Sequence, residues 1–173
     1  MKTALWNELG GFPDFFFAYG EDVELSLRAH VADVDVRIEP AGVAYHYYQF
    51  TRNGRKYFLL ERNRLATMLT VYEARTLLIL APALLIVELG MLFQAVRSGW
   101  LKQKLSSYVS LIAVVPKIRS RRRSLAGMRK CTDRELAAIL SPRVDPPAKF
   151  GFQVPKTFND LLAWYWSRVI RLL

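Results

Sequence analysis

The sequence predicts an α/β head followed by a mainly α-helical, membrane-associated tail, and three observations carry that expectation. Two short runs rich in Val, Ile and Tyr, at 34–38 and 42–48, lie between helical stretches. An apolar segment, TLLILAPALLIVELGMLFQAV at 76–96, has about the ~20-residue length of a membrane span. Charge is split along the chain: residues 1–60 hold six Lys/Arg against eight Asp/Glu, whereas residues 61–173 hold nineteen against seven. An acidic head joined to a basic, apolar tail implies two tasks in one chain.

Each element has a local reason. Gly10-Gly11-Phe12-Pro13-Asp14 is a turn sequence. Gly20 precedes a helix over 21–32, whose first turn holds Glu21, Asp22 and Glu24, the charge sign a helix N-terminus favours. Residues 34–38 alternate as a strand that stops at Pro40, and 42–48 is a second strand. A polar loop at 51–55 leads into a long helix over 56–75. The apolar segment at 76–96 is interrupted by Pro82, Glu88 and Gly90, and a second apolar run at 108–115 is too short to span alone. KIRSRRRS follows, then a polar helix over 133–140, a proline-rich extended stretch over 141–155, and the amphipathic FNDLLAWYWSRVIRLL. The chain is expected to divide into a head (1–65), whose end is set by the resemblance described below, an apolar helical segment (66–118) and a basic linker with a terminal amphipathic helix (119–173). The single cysteine, Cys131, excludes an internal disulfide, and the first residues lack the apolar run of a secretory signal.

Charge also constrains the tail's topology. Arg62, Arg64 and Arg75 precede the apolar segment, while Arg97, Lys102, Lys104 and the cluster at 119–123 follow it. One crossing would place a basic cluster on the outer side, against the positive-inside tendency. A re-entrant or interfacial hairpin keeps every arginine on the cytoplasmic face, with Trp100, Trp164, Tyr165 and Trp166 at headgroup level. Anionic lipids are then the expected surface. RSRRRS with a pI near 10 also fits a basic nucleic-acid-binding protein. No nucleic-acid partner is expected, because the flanking apolar runs suit lipid better.

Glu21 and Asp22 stand directly behind the aromatic run FFFAYG. As plain helix-end carboxylates they would offset the helix dipole. As chemistry, one of them would be a base beside a water-excluding aromatic wall.

ELGGFPDFFFAYGEDVELSLRAH, VRIEPAGVAYHYY and KYFLLERNRL, in that order, resemble the second half of a family 2 glycosyltransferase over residues 9–65. The apolar tail looks more loosely like the membrane-associated tail of bacterial and archaeal members. The resemblance implies a GT-A fold and inverting transfer of a hexose or deoxyhexose, rhamnose among them, from a nucleotide-diphosphate donor to a saccharide or lipid-linked acceptor. It makes Asp22 the base with Glu21 beside it. Phe16, Phe17 and Tyr19 would shape the acceptor pocket, and Arg62 and Arg64 of ERNR would meet phosphate oxygens. His46 would help ligate a divalent Mn or Mg ion, with other ligands outside this chain. The family's donor-binding half would precede residue 1, so this chain alone is expected to be inactive. Asp33 and Asp35 also form an Asp-x-Asp, but between a helix and a strand, where it reads as a turn with Asp33 in the place of a capping glycine. A non-catalytic membrane adaptor is the alternative the tail alone would support.

Overall fold

A computed structural model describes residues 1–37, 39–43, 45, 54–145 and 154–173. It corrects the fold class. The described residues form an all-α fold with no strand or sheet, not an α/β GT-A half. In order they are α1 (Thr3–Leu9), a 3-10 turn (Asp14–Phe16), α2 (Glu21–Val31), α3 (Gly54–Val71), α4 (Ala74–Arg97), α5 (Leu101–Met128), α6 (Asp133–Ala138) and α7 (Lys156–Val169). Residues 34–37, expected to be a strand, are irregular, and Val36 is exposed. A β-branched run needs a neighbouring strand to pair with, and the described residues provide none. Much of the second expected strand, and His46 with it, lies outside the described residues.

The helices have identifiable ends. Gly20 (φ 84°) starts α2 in the left-handed region. At its other end Asp33 (φ 59°) takes the left-handed position. Asp33 N–H donates to His30 O, Val34 N–H donates to Ala29 O, and Val34 packs back on the cluster containing Ala29. This is a Schellman cap, so the Asp33-Asp35 triplet is the expected turn. The carbonyls at the C-terminus of α3 are met by arginines from the basic cluster and beyond. Arg122 donates to Leu69 O (2.7 Å) and Tyr72 O, and Arg129 donates to Val71 O. Cations at that end complement both the orphan carbonyls and the dipole. Thr132 and Glu135 close a reciprocal capping box on α6.

The chain runs up, down and up through α3, α4 and α5. The α3 and α5 helices run alongside in the same direction: Tyr57 stacks on Trp100 at 4.9 Å, Arg62 reaches Ser110, and Arg122 reaches Leu69. The α4 helix returns between them in sequence, continuous through Pro82. Its start is tied to α6 by Glu73 N–H donating to Asp133 Oδ2 (2.6 Å), and it turns into α5 through Ser98, Gly99 (φ 76°) and Trp100. Near its far end Glu88 pairs with Arg64 of α3 and Lys104 of α5. The head packs on this frame through two small cores, Val31 with Val71, Leu125 and Leu136, and Phe16 with Ala66 and Ile118, while Leu9, Leu25 and Ala29 form a third within the head, against which Met128 of α5 packs. The boundaries expected at 65 and 118 fall inside α3 and α5, each of which packs against the head and continues into the tail. The terminal α7 meets α4 where the Tyr165 hydroxyl donates to Ile79 O (2.8 Å).

Among the described residues one helix, α4, is long and apolar enough to cross a membrane, with mean hydropathy 2.3 over its most apolar window and only 11 % of that window buried.

Candidate functional site

The segment from Phe15 to Asp22 is held from behind by two consecutive side chains of α3. Arg62 Nη2 donates to Phe15 O and Phe16 O (3.1 Å), and its Nε donates to Asn63 Oδ1 (3.0 Å). Asn63 Nδ2 lies within hydrogen-bond reach of Phe16 O (3.2 Å), Ala18 O (2.8 Å) and Tyr19 O (2.8 Å). These carbonyls point inward, which forces the backbone into conformations that side chains rarely adopt: Phe17 has φ 63° and Tyr19 has φ 70°. Non-glycine residues there cost of order 1–3 kcal/mol each and persist only where surrounding contacts over-determine them. The Arg62 and Asn63 bonds are such contacts.

That geometry sorts the aromatic residues. Phe16 is 1 % exposed and belongs to the core, so it is not a surface for substrate. Phe17 is turned outward, 74 % exposed, with the Arg55 guanidinium 4.4 Å from its ring centre. Tyr19 is half-buried, with Lys56 Nζ 5.6 Å from its ring centre. Asp22 stands exposed in the first turn of α2. Glu21 is half-buried, and its Oε2 is enclosed without a hydrogen-bond partner. The outward face therefore brings together Phe17, Tyr19, Arg55 and Lys56 next to the helix start that carries Asp22.

The arginines expected to bind phosphate have protein partners. Arg62 is buried against neutral carbonyls, and burial lowers its pKa from the ordinary arginine value. Arg64 belongs to a cluster that joins three helices, with Glu61 (3.0 Å) and Glu88 on one side of it. Lys104, fully buried, pairs with the same two carboxylates, and the Tyr108 hydroxyl donates to Glu88 (2.7 Å). Burial works against the charge on Arg64, but Glu61 and Glu88 more than offset it, so its pKa is raised. Glu88, the residue that interrupts the apolar segment in sequence, is thus the peg that fixes α4 to the frame. A second buried cluster was not visible in sequence. Glu24, wholly enclosed, accepts from Arg121 Nε (3.1 Å) and Nη2 (3.0 Å), while Arg121 also holds Gly10 O and Gly11 O.

The role of Asn63 was missed, although the sequence held one signal. Asn disfavours helix interiors, so an Asn in the middle of a long helix points to a specific buried acceptor. Among the described residues no group of three or more His, Cys, Asp or Glu side chains could hold a metal ion, and His46 lies outside them. The described residues do not by themselves fit a metal.

No family model matches this chain, and no curated protein or solved structure is significantly similar to it.

Proposed function

We propose that this chain carries the acceptor side of an inverting glycosyl transfer at the cytoplasmic membrane surface, with Asp22 as the base. The observation that supports it is the strained segment from Phe15 to Tyr19, which presents Phe17 outward shortly before the helix start that carries the exposed Asp22. A flat exposed ring suits one face of a sugar. A positioned carboxylate suits the hydroxyl of that sugar. In the transfer, Asp22 takes the hydroxyl proton as the oxygen bonds to the anomeric carbon, and the nucleoside diphosphate departs from the opposite face. Glu21 lines the same helix start. The nucleotide-sugar donor would be held by a separate protein.

The proposed seat is along the membrane rather than across it. The α4 helix lies beside α3 and α5, pinned by Arg64 and Lys104. Carrying α4 through a bilayer would carry Lys117, Arg119 and Arg123 on its neighbour α5 toward hydrocarbon, at a cost of several kcal/mol. Lying flat leaves those charges at the headgroups. A non-catalytic membrane adaptor is the second reading, favoured by the exposed apolar surface of α4.

The test supplies the full chain with a separate nucleotide-sugar-binding protein and assays UDP-, GDP- and dTDP-sugars with saccharide and lipid-linked acceptors. Transfer is expected, and Asp22→Asn should lower kcat by about 10²–10⁴ with the melting temperature nearly unchanged. A lowered melting temperature with near-normal kcat would return Asp22 to a helix-end role and leave the adaptor reading standing.

A further inference from the structure

Arg28, on α2 six residues beyond Asp22, is the largest fully enclosed side chain among the described residues, at 1 % exposed. Its Nε and Nη1 are buried with no hydrogen-bond partner among the described residues. Glu24, the carboxylate paired with it, stands 3.8 Å from Nε, too far for a hydrogen bond. Both Glu24 oxygens are taken by Arg121, through Nε (3.1 Å) and Nη2 (3.0 Å). Two guanidiniums thus share one enclosed carboxylate, which leaves an excess of one positive charge within the trio. Burial pushes the Arg28 pKa down, Glu24 pushes it up and Arg121 pushes it down again, and the net direction is down. Arginine nevertheless keeps its proton, so the excess charge persists. Beside this guanidinium the chain leaves room. Gly10 closes α1 in the left-handed region (φ 74°). A Cβ placed there would meet, apart from chain neighbours, only Arg28 among the described residues, Nη2 at 3.5 Å and Nη1 at 3.7 Å. The position is nearly equidistant from the two terminal nitrogens, which carry four of the guanidinium's five N–H groups.

We infer that Arg28 and Gly10 form a binding site for a single monatomic anion of the chloride class. Three features select this occupant. Buried donors are satisfied by protein, by water or by an ion. Water would accept from Arg28 but would leave the excess charge, which is costly in a low-dielectric place. The room beside Gly10 is of the order of one methyl group, too small for phosphate or an organic carboxylate without parting Gly10 from Arg28. The carbonyls of Gly10 and Gly11, which would repel an anion, are already engaged by Arg121. The ion ties the end of α1 to α2, while Arg121 ties the same turn to α5. It serves the packing of the head and stands apart from the transfer at Asp22.

The full chain in zwitterionic detergent is melted in sodium bromide from about 1 to about 100 mM, with ionic strength held constant by sodium gluconate, whose anion is too large for the site. The melting temperature is expected to rise by about 2 °C or more across that range, as a ligand bound only by the folded state requires. Sodium phosphate in place of bromide should leave it at the gluconate value. Arg28→Met keeps Glu24 paired with Arg121 and removes the excess charge, so it should melt at the same temperature in bromide and in gluconate. Anomalous diffraction from bromide-soaked crystals of the unaltered chain places the ion without any variant, and a peak is expected beside Gly10 in contact with Arg28. Peaks confined to exposed lysines and arginines, or wild-type melting that ignores bromide, would overturn the site and leave water as the partner of Arg28. Equal stabilisation by phosphate, or an Arg28→Met chain that still responds to bromide, would overturn it in favour of general anion binding at the basic surface.

Discussion

The neighbouring helices α3 and α4 invert the usual rule in opposite ways. The α3 helix buries polar side chains: Glu61, Arg62, Asn63, Thr67 and Thr70 are all enclosed. The α4 helix exposes apolar ones: Leu78, Leu85, Ile86, Leu89, Phe93 and Val96 all face outward, Leu78 at 75 %. A buried polar group is tolerated when it is bonded, and every one of Arg62, Asn63 and Thr70 has a carbonyl partner. An exposed apolar stripe of that extent marks a surface that meets something other than water. The difference teaches that α3 is the internal fastener of this chain, while α4 turns most of its apolar surface away from the described residues.

The comparison can be broken at its strongest point first. Lys104→Met leaves Glu61 and Glu88 sharing one cation, Arg64, with only the Tyr108 hydroxyl beside it, in a place where Lys104 is fully enclosed. Removing one partner of a buried ion pair typically costs about 3–5 kcal/mol. Denaturant unfolding of the full chain in a zwitterionic detergent should show a loss of that order. A loss below about 1 kcal/mol would mean that α4 is not pegged to α3 and α5 by this cluster.

Next in size is Asn63→Ala. It strips Phe16, Ala18 and Tyr19 of a shared donor and removes the clamp on two strained residues. Leaving buried carbonyls without a partner costs roughly 1–3 kcal/mol. Chymotrypsin cleavage after Phe17 and Tyr19 should accelerate, and more than the fall in melting temperature accounts for, because the segment opens locally. Equal cleavage in both proteins would show that the Arg62 bonds suffice.

Acid should loosen the same α3–α4 junction. Burial pushes the Glu88 carboxyl up, but its bonds with Arg64, Lys104 and Tyr108 outweigh this and hold it at about 2 against an ordinary 4.5. Its folded value is depressed, so its contribution is fully present above about pH 4.5 and is lost as pH falls from there toward 2. Glu88→Gln should flatten that part of the stability profile. An unchanged acid limb would place the titration elsewhere.

The smallest effect on stability is expected on the other side of the comparison. Leu85→Gln, at a position 61 % exposed, should change unfolding by no more than about 0.5 kcal/mol. It should nevertheless weaken flotation with vesicles containing anionic lipid. A large stability loss would show that α4 is covered by protein after all.

Much of the helical layout was legible along the chain. The acidic first turn placed α2, Asp33 announced its left-handed cap, and the apolar run located α4. Local signals suffice there, because capping and periodicity act within a few residues. The strand expectation failed for the opposite reason: residues 34–37 carry β-branched character, but a strand is completed only by a partner, and none lies among the described residues. The sequence by itself determined the helices around 21–32, 56–75, 76–96 and 133–140 and the terminal amphipathic one, though not α1 or the long α5, as well as where charge and apolar surface concentrate and that Asp22 begins a helix behind aromatic residues. Only the tertiary structure decided that Phe16 is core and Phe17 is surface, that Arg62 and Asn63 face carbonyls, and that Arg64, Glu88 and Lys104 share one cluster. Those pairings span as many as 47 residues of chain, and a hydrogen bond between distant residues leaves no pattern in the spacing of either.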